Sequence, residues 1–565
     1  MKNDYLFKDF YHLDSYLYFE EKIPLYMNSR TITFKMFSKF QHLFSKQYYL
    51  LSENKKESLK VLIDFEKNTD CDSYSIDIHK GSISIKASSE RGVLYAIDVL
   101  NSLPEVRFGK IALPIVLIED EPSFCYRGII EGYYGTPWTF SERMNMFDFM
   151  RQHRLNTYIY APKSDVYHRE RWCDLYQESF LKKLSKMVTK ATDLKINFWY
   201  TISPGYHKEG LYAFNYRDES DFQRLFEKID QLISIGIRDF GLLLDDIDYE
   251  LSAENVKRFN RPGIAHAYIC NRLLKYIQTK ISDTKFVMCP TEYHQIGETQ
   301  YRADLRDHLH QDILVFFTGD NVCAEAITER DISVTKQAYN KEMCIWDNFP
   351  VSDFTYGVRE FMGPITNRST RLSQYAKGYF INPSIHYHIS KVGMSTMSDY
   401  AWNTSAYHPA LAFEKALKDF GEAFYKSSKA FIKFNYPSVL SYGDIEEHHQ
   451  WVLDGEDDKI LALYERLETS AQNMLQLNLD VIHELKPWLE HAIMESKIVS
   501  KIIHKDITKE TLLDFLKDSH FLGSELIDEL IAKENLLTEE EYNEKITKRR
   551  GPLWYRVFEE KRWKK

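Results

Sequence analysis

The chain is poor in cysteine, with seven in 565 residues, and none of them forms a C-x-x-C pair. An odd count without paired spacing suggests neither a disulfide framework nor a zinc cage. Several sit in apolar strand-like runs (VMCP, EMCIW), where Cys behaves as a small hydrophobe. No segment approaches about 18 consecutive apolar residues, and the opening stretch MKNDYLFKDFYHLD has no uninterrupted apolar core. Neither a membrane span nor a secretion signal is expected, and a reducing cytoplasm is the expected location. Internal repeats and low-complexity segments are also missing. Positive charge is in deficit, 73 Lys and Arg against 83 Asp and Glu, and a net charge of −10 speaks against wholesale nucleic-acid binding. The exception is a basic, aromatic tail, KITKRRGPLWYRVFEEKRWKK. Such a tail could grip a nucleic acid, but it reads better as a last helix packed through Leu553, Trp554 and Phe558.

What the chain does have is 44% hydrophobic and 15% aromatic residues, enough for large cores in two or three domains. SYSIDIH and SISIKA alternate with period two across a Lys-Gly turn, which predicts a hairpin, and SSERGVLYAIDVLNSL follows as a helix. From Arg127 the texture changes. Eight short apolar runs follow: RGIIEGYYG, NTYIYAPK, INFWYTISPG, DFGLLLDDID, KFVMCPTEYH, DILVFFTGD, MCIWDNFP and GYFINP. Helical patterns separate them, one opening with a capping box from Thr139 to Glu142. Eight strands within Arg127–Pro383 occupy close to the roughly 250 residues that a (β/α)8 barrel needs. A doubly wound sheet competes, but no G-x-G-x-x-G loop follows the first strand. After Trp402 the pattern turns helical; Ile482, Leu485, Leu489 and Ile493 share one face, and Pro487 marks a start or a kink. The expected organisation is a small α/β domain over 1–120, a barrel over 121–405 and a helical domain over 406–565.

A barrel demands that chemistry gather where strands end. The strand ends supply Glu131-Gly132-Tyr133-Tyr134, Pro162-Lys163, Asp245-Asp246, Tyr293, Thr318, Trp346-Asp347-Asn348 with Asp353 shortly after, and Asn382. Carboxylates, amides, a lysine and aromatics on one rim suit a polyhydroxylated sugar, with carboxylates and amides pairing to hydroxyls and aromatic faces stacking on the ring. The pair in GLLLDDID is the sharpest feature. Like charges held together resist joint ionisation. Ordinary glycosidases set two carboxylates on opposite sides of the scissile bond, a geometry that sequence neighbours do not easily reach. They can divide labour instead, one moving the proton while the other holds a nucleophile belonging to the substrate, the 2-acetamido oxygen. A capping Asp with a solvated partner is the plainer reading of the stretch taken alone. The other adjacent pair, Asp457-Asp458 in GEDDKI, reads as a solvated loop.

RGIIEGYYGTPWTFSER, LNTYIYAPKSDVYHRERW, FGLLLDDID, CPTEYH, FTGDNV, IWDNFPVSD and FINP, in this order, resemble glycoside hydrolase family 84. The segment from SYSIDIH to VLYAIDVLNSL is similar to the hexosaminidase-like domain that precedes the barrel in such enzymes. The resemblance implies that Asp246 is the general acid/base and that Asp245 orients the acetamido group. Tyr293 and Asn348 would surround that group, with Trp346 as a wall. Asp353 would read the O4 and O6 side of the sugar and Asn382 the O3/O4 side, with Lys163, the backbone at Gly132 and Tyr134 nearby. Thr318 and Asp347 complete the expected substrate-binding set. FTG stands where many relatives carry WTG, and EGYYG replaces EGFYG, giving Tyr133 an extra hydroxyl. The implied activity is that of a retaining exo-β-N-acetylglucosaminidase acting on terminal β-linked GlcNAc through an oxazoline, without metal or cofactor. A GlcNAc-bearing glycan or glycoprotein is the expected partner, with no nucleic-acid or membrane partner. Two alternatives are hydrolysis of hyaluronan or another GlcNAc polysaccharide, and a non-catalytic glycan-binding module, against which the intact Asp pair argues.

Overall fold

The computed structural model describes residues 7–27, 42–65, 71–204, 214–355, 359–440, 445–517 and 526–538, with 540, 541 and 544. The basic tail from 545, with Leu553, Trp554 and Phe558, lies outside the described residues. The chain divides into two compact units.

The first unit comprises Met1–Arg127 and Asp399–Tyr407. The period-two alternation of YSIDIH and SISIKA builds the antiparallel pair Tyr74–His79 and Ser82–Ala87, with Gly81 at φ +102° closing the turn. These two strands lie inside an eight-stranded sheet that also contains Leu59–Phe65 and Lys110–Asp120. The helix Glu90–Ser102 is capped by Ser89 and buries Val93, Ile97 and Leu100 in one core with Ile76, Ile78, Ile83 and Ile85. Buried Asp72 is ion-paired to Arg127, whose guanidinium lies 5.1 Å over Trp402, and the Trp402 indole N–H donates to Asp120 at 3.0 Å.

Cysteine behaves differently from the expectation. Cys71 and Cys125 form a disulfide. Their 54-residue separation carries no signal in sequence, but the register does, because Tyr74 pairs with Asp120 and the two cysteines stand just past the paired ends. No helix among the described residues is long and apolar enough to cross a membrane.

The second unit comprises Gly128–Ser398 and His408–Lys565. All eight apolar runs become parallel strands that close into a barrel: Tyr126–Glu131, Thr157–Tyr160, Asn197–Ile202, Asp239–Leu243, Phe286–Cys289, Ile313–Phe317, Met343–Pro350 and Ala376–Asn382. They are numbered one to eight below. Strands buried on both faces read as continuous apolar runs, as these do. The helix Phe140–Gln152 carries the expected capping box from Thr139 to Glu142, and a second box, Thr328 with Asp331, opens Glu329–Tyr339.

The helical region packs in the same unit as the barrel: Ile389 and Val392 of the helix after strand eight share one core with Phe431, Leu467, Leu485 and Leu489. One expectation is narrowed and one is corrected here. The helix Asp480–Ile503 begins seven residues before Pro487 and runs through it, with Ile482, Leu485 and Leu489 buried and Ile493 partly so. Asp457 and Asp458 are not in a loop; they open the helix Asp457–Leu475, where exposed carboxylates meet the positive end of the helix dipole.

Candidate active site

The three leucines of GLLLDDID are fully buried and the chain leaves the core at the next residue, Asp245. Strand two delivers Lys163 opposite. Its ammonium donates to Asp245 Oδ2 at 2.9 Å and to Asp246 Oδ2 at 3.2 Å, so one cation is shared by the two carboxylates. Burial works to lower the Lys163 ammonium, but Asp245 and Asp246 outweigh it and hold it well above its ordinary value. Asp246 is further embraced by the Tyr134 hydroxyl, which donates to Oδ2, and by Arg169, whose Nη2 stands 3.5 Å away. Burial works to raise Asp246, yet Lys163, the Tyr134 hydroxyl and Arg169 prevail and keep its carboxyl below the usual carboxylate range. Tyr134 itself is pushed up to about 12, chiefly by burial.

Asp245 is different. Its side chain is only 8% exposed, and its Oδ1 atom is buried without a hydrogen-bond partner among the described residues. A buried acceptor left so is costly unless a donor arrives. Cys289, the last residue of strand five, lies close beneath; the Leu244 amide donates to its carbonyl at 2.9 Å, and burial first, then Asp245, raises its thiol. Tyr293 stands in the loop after strand five, its phenol held well above the usual range by burial and then by Asp245.

A ring of amides builds the other side. Trp346 Nε1 donates to Asn348 Oδ1 at 2.9 Å, and Asn382 Nδ2 donates to the same oxygen at 2.9 Å. Gly132 N donates to Asn382 Oδ1 at 3.1 Å, and Asn348 Nδ2 donates to the Val322 carbonyl at 2.7 Å. Strands one, seven and eight and the loop after strand six are thereby tied together. Gly132 is required by close approach: a Cβ there would sit 2.5 Å from Trp346 Cζ2. Asp353 accepts from the Tyr134 amide at 2.8 Å, and burial raises its carboxyl.

Two expected site residues face elsewhere. Asp347 is 1% exposed and uses both oxygens on Arg368, at 2.7 Å each, with the Tyr379 hydroxyl as a third donor. It fastens the end of strand seven from behind, and side chains alternate across a strand, so Trp346 and Asn348 take the pocket face. Thr318 is buried and its hydroxyl donates to the Asn321 carbonyl at 2.9 Å, closing its own loop. The added hydroxyl of Tyr133 accepts from the Trp138 amide at 3.0 Å and braces the loop after strand one. Phe317 is fully buried in strand six.

Sequence reasoning missed Arg169. It is a buried cation six residues after Lys163 in KSDVYHRERW, and a second cation beside an acid pair was the signal.

A closed parallel barrel with paired acids, amides and aromatics at its strand ends defines a protein of the glycoside-hydrolase type. The family model described as beta-N-acetylglucosaminidase matches residues 127–435, more than half of the chain, and the chain belongs to this family, glycoside hydrolase family 84. Protein O-GlcNAcase of Rattus norvegicus and that of Mus musculus are each 30% identical to it over 279 residues, 48% of this chain. The chain spans 29% of the length of those relatives. Among solved structures, a mutant O-GlcNAc hydrolase of Thermobaculum terrenum superposes with a TM-score of 0.67 at 27% identity, covering 73% of this chain and 94% of that one. The structure of CpGH84B superposes with a TM-score of 0.75 at 24% identity, covering 94% of this chain and 99% of that one, a likeness of fold.

Proposed function

We propose that the chain hydrolyses terminal β-linked GlcNAc with retention, the sugar's own acetamido group acting as nucleophile. The observation that carries this reading is the contrast between the two aspartates: Asp246 gathers three donors on its Oδ2, whereas Asp245 keeps one buried oxygen without any among the described residues. An acetamido N–H supplies the missing donor. Held so, the acetamido oxygen attacks the anomeric carbon as the bond to the aglycone oxygen breaks, Asp246 gives its proton to the departing oxygen, and the positively charged oxazolinium form of the oxazoline keeps its N–H on Asp245 until water reopens the ring. Water then adds to the anomeric carbon, losing its proton to Asp246 and reopening the ring. Both aspartates descend from one strand end, so neither has to span the sugar.

Asp246 must be protonated to act first as an acid, although in the free site Lys163 and Arg169 favour its ionised form. Sugar hydroxyls that engage Lys163 draw the ammonium off Asp246 and let the proton on. Asp353 and the Asn348–Asn382 pair read the remaining ring hydroxyls, Trp346 and Tyr293 wall the acetamido methyl, and the family relatives named O-GlcNAcase support a glycoprotein as the carrier of the sugar.

The test is release of 4-methylumbelliferone from its β-GlcNAc and β-glucoside conjugates. The wild type is expected to cleave only the former; Asp246→Asn and Asp245→Asn should each lose at least about 10²-fold in kcat/KM, the usual weight of a proton-transfer or positioning group. Equal cleavage of both conjugates would sink the acetamido mechanism. Comparing O-GlcNAc-modified protein, chitobiose and hyaluronan with one preparation then orders the natural carriers.

A further inference from the structure

The helical region after the barrel has no assigned role, yet one of its carboxylates reaches the loop behind Asn382. Strand eight ends at Asn382, residues 383–386 turn, and the helix Tyr387–Trp402 begins. Glu484, in the second turn of Asp480–Ile503, accepts from the Ile389 amide at 2.8 Å and also from the His388 amide. These are orphan donors of a helix start, and a residue more than 90 positions downstream satisfies them. One turn along, Trp488 packs edge-on against His386, ring centroids 5.0 Å apart. His386 Nδ1 lies 2.6 Å from Glu360, a buried carboxylate that also accepts from Ser352 at 3.0 Å and from Ser384 at 2.8 Å. The Ser384 carbonyl accepts from the Trp138 indole at 3.2 Å, which ties this knot to the loop carrying Gly132 and Tyr134.

We propose that Glu484 is a positioning residue for the sugar pocket: from the helical region it caps the helix after strand eight and, with Trp488 and the Glu360–His386 pair, fixes the 383–386 turn and so the amide of Asn382. The inference rests on the pocket read above.

The knot is also sensitive to protons. Burial, then the nearby Glu360 carboxylate, pushes Glu484 up to about 7, against the pull of the Ile389 amide and His386. Burial works to lower His386, but Glu360 and then Glu484 leave it raised. The other groups facing Glu484 are Lys391, whose ammonium burial lowers despite the pull of Glu484, the Tyr387 phenol, His388, Asp480 of its own helix, and Glu142 behind Lys391. Both raised groups act in one direction. A carboxyl that stays protonated to about pH 7 when folded stabilises the fold below the ordinary carboxylate range and loses that stabilisation as pH rises through about 7. A raised imidazole likewise holds only until it deprotonates, so the knot is tightest in mild acid and, as pH rises, loses the positive charge of His386 while gaining the negative charge of Glu484.

The experiment measures KM and kcat for 4-methylumbelliferyl β-GlcNAc from pH 5.5 to 8.5, with thermal unfolding alongside. Glu484→Ala is expected to raise KM about five- to tenfold at the acid end, the size of a lost helix cap, with kcat within about twofold. Glu484→Gln, which still accepts from the two amides, should restore KM at the acid end and lessen the rise that the wild type shows above about pH 7, leaving only the part due to His386. A Glu484→Ala enzyme with wild-type KM at every pH overturns the inference, even if it melts earlier. Should that variant not fold, a Glu484→Gln enzyme that keeps the wild-type rise overturns it equally. An active wild type beside an unaffected variant sinks only this inference, whereas a wild type that releases no sugar takes the pocket reading down as well.

Discussion

Adding one methyl group at Gly132 should disable the pocket without unfolding the protein. A Cβ at this position would lie 2.5 Å from Trp346 Cζ2 and 3.0 Å from Cη2, against an ordinary carbon contact of about 3.5–4.0 Å. Either the indole or the strand end has to retreat by about 1 Å. The indole cannot swing freely, because its N–H is held by Asn348, whose oxygen also receives Asn382, whose own oxygen receives the Gly132 amide. The displacement therefore travels round the amide ring. A misplacement of about 1 Å costs on the order of 10²-fold in rate, or about 2.7 kcal/mol of transition-state stabilisation at 1.36 kcal/mol per decade. The assay is kcat/KM on 4-methylumbelliferyl β-GlcNAc for Gly132→Ala, Trp346→Phe and the pair. Phenylalanine removes both clashing atoms, so the double variant should be more active than Gly132→Ala alone, an interaction that a double-mutant cycle reads directly. A Gly132→Ala enzyme within about threefold of wild type, or a double variant whose losses simply multiply, would refute the reasoning.

Three further outcomes are expected. Replacing Arg169 by Gln removes a cation that helps hold Asp246 low, so its acid form survives to higher pH and the basic limb of kcat/KM moves upward; an unmoved or lowered limb counts against Arg169 as a partner of the acid. Asp347→Asn leaves the buried Arg368 charge uncompensated, at a cost of about 3–5 kcal/mol in denaturant midpoint analysis, and a combined Asp347→Leu, Arg368→Met chain should recover part of it. Cys71→Ser opens a loop of 54-residue separation, for which chain entropy gives a loss of roughly 4 kcal/mol; thiol titration of the unfolded, unreduced wild type should find only the five free cysteines, and seven would dismiss the bond.

Much of the barrel could be read from the chain because parallel strands buried on both faces leave uninterrupted apolar runs, and because each run stops where a polar residue meets the rim. Thr139 with Glu142 marked a helix start for an equally local reason. Asp245 and Asp246 were legible since a charge pair directly after three leucines has to be at a boundary. What escaped was non-local. Asp347 looks the same in sequence as its neighbour Asn348, and only Arg368, 21 positions on, decides that it faces away from the pocket. Pro487 looked like a start or a kink because proline lacks an amide donor, yet the helix begins at Asp480, where the face carrying Ile482, Leu485 and Leu489 is already buried. Cys71 meets Cys125 through strand register alone, and Glu484 meets Ile389 across more than 90 positions of chain.

The amide ring has a directionality with consequences for how such a pocket drifts over time. The bonds run in a fixed sense: Gly132 gives to Asn382, Asn382 and Trp346 give to Asn348, and Asn348 gives to the Val322 carbonyl. An aspartate at 348 would have nothing to offer Val322, and an aspartate at 382 would set two acceptors against each other. Each of these single exchanges is therefore unfavourable. Positions 132, 346, 348 and 382, spread over 251 residues of chain, are bound into one hydrogen-bonding and packing order.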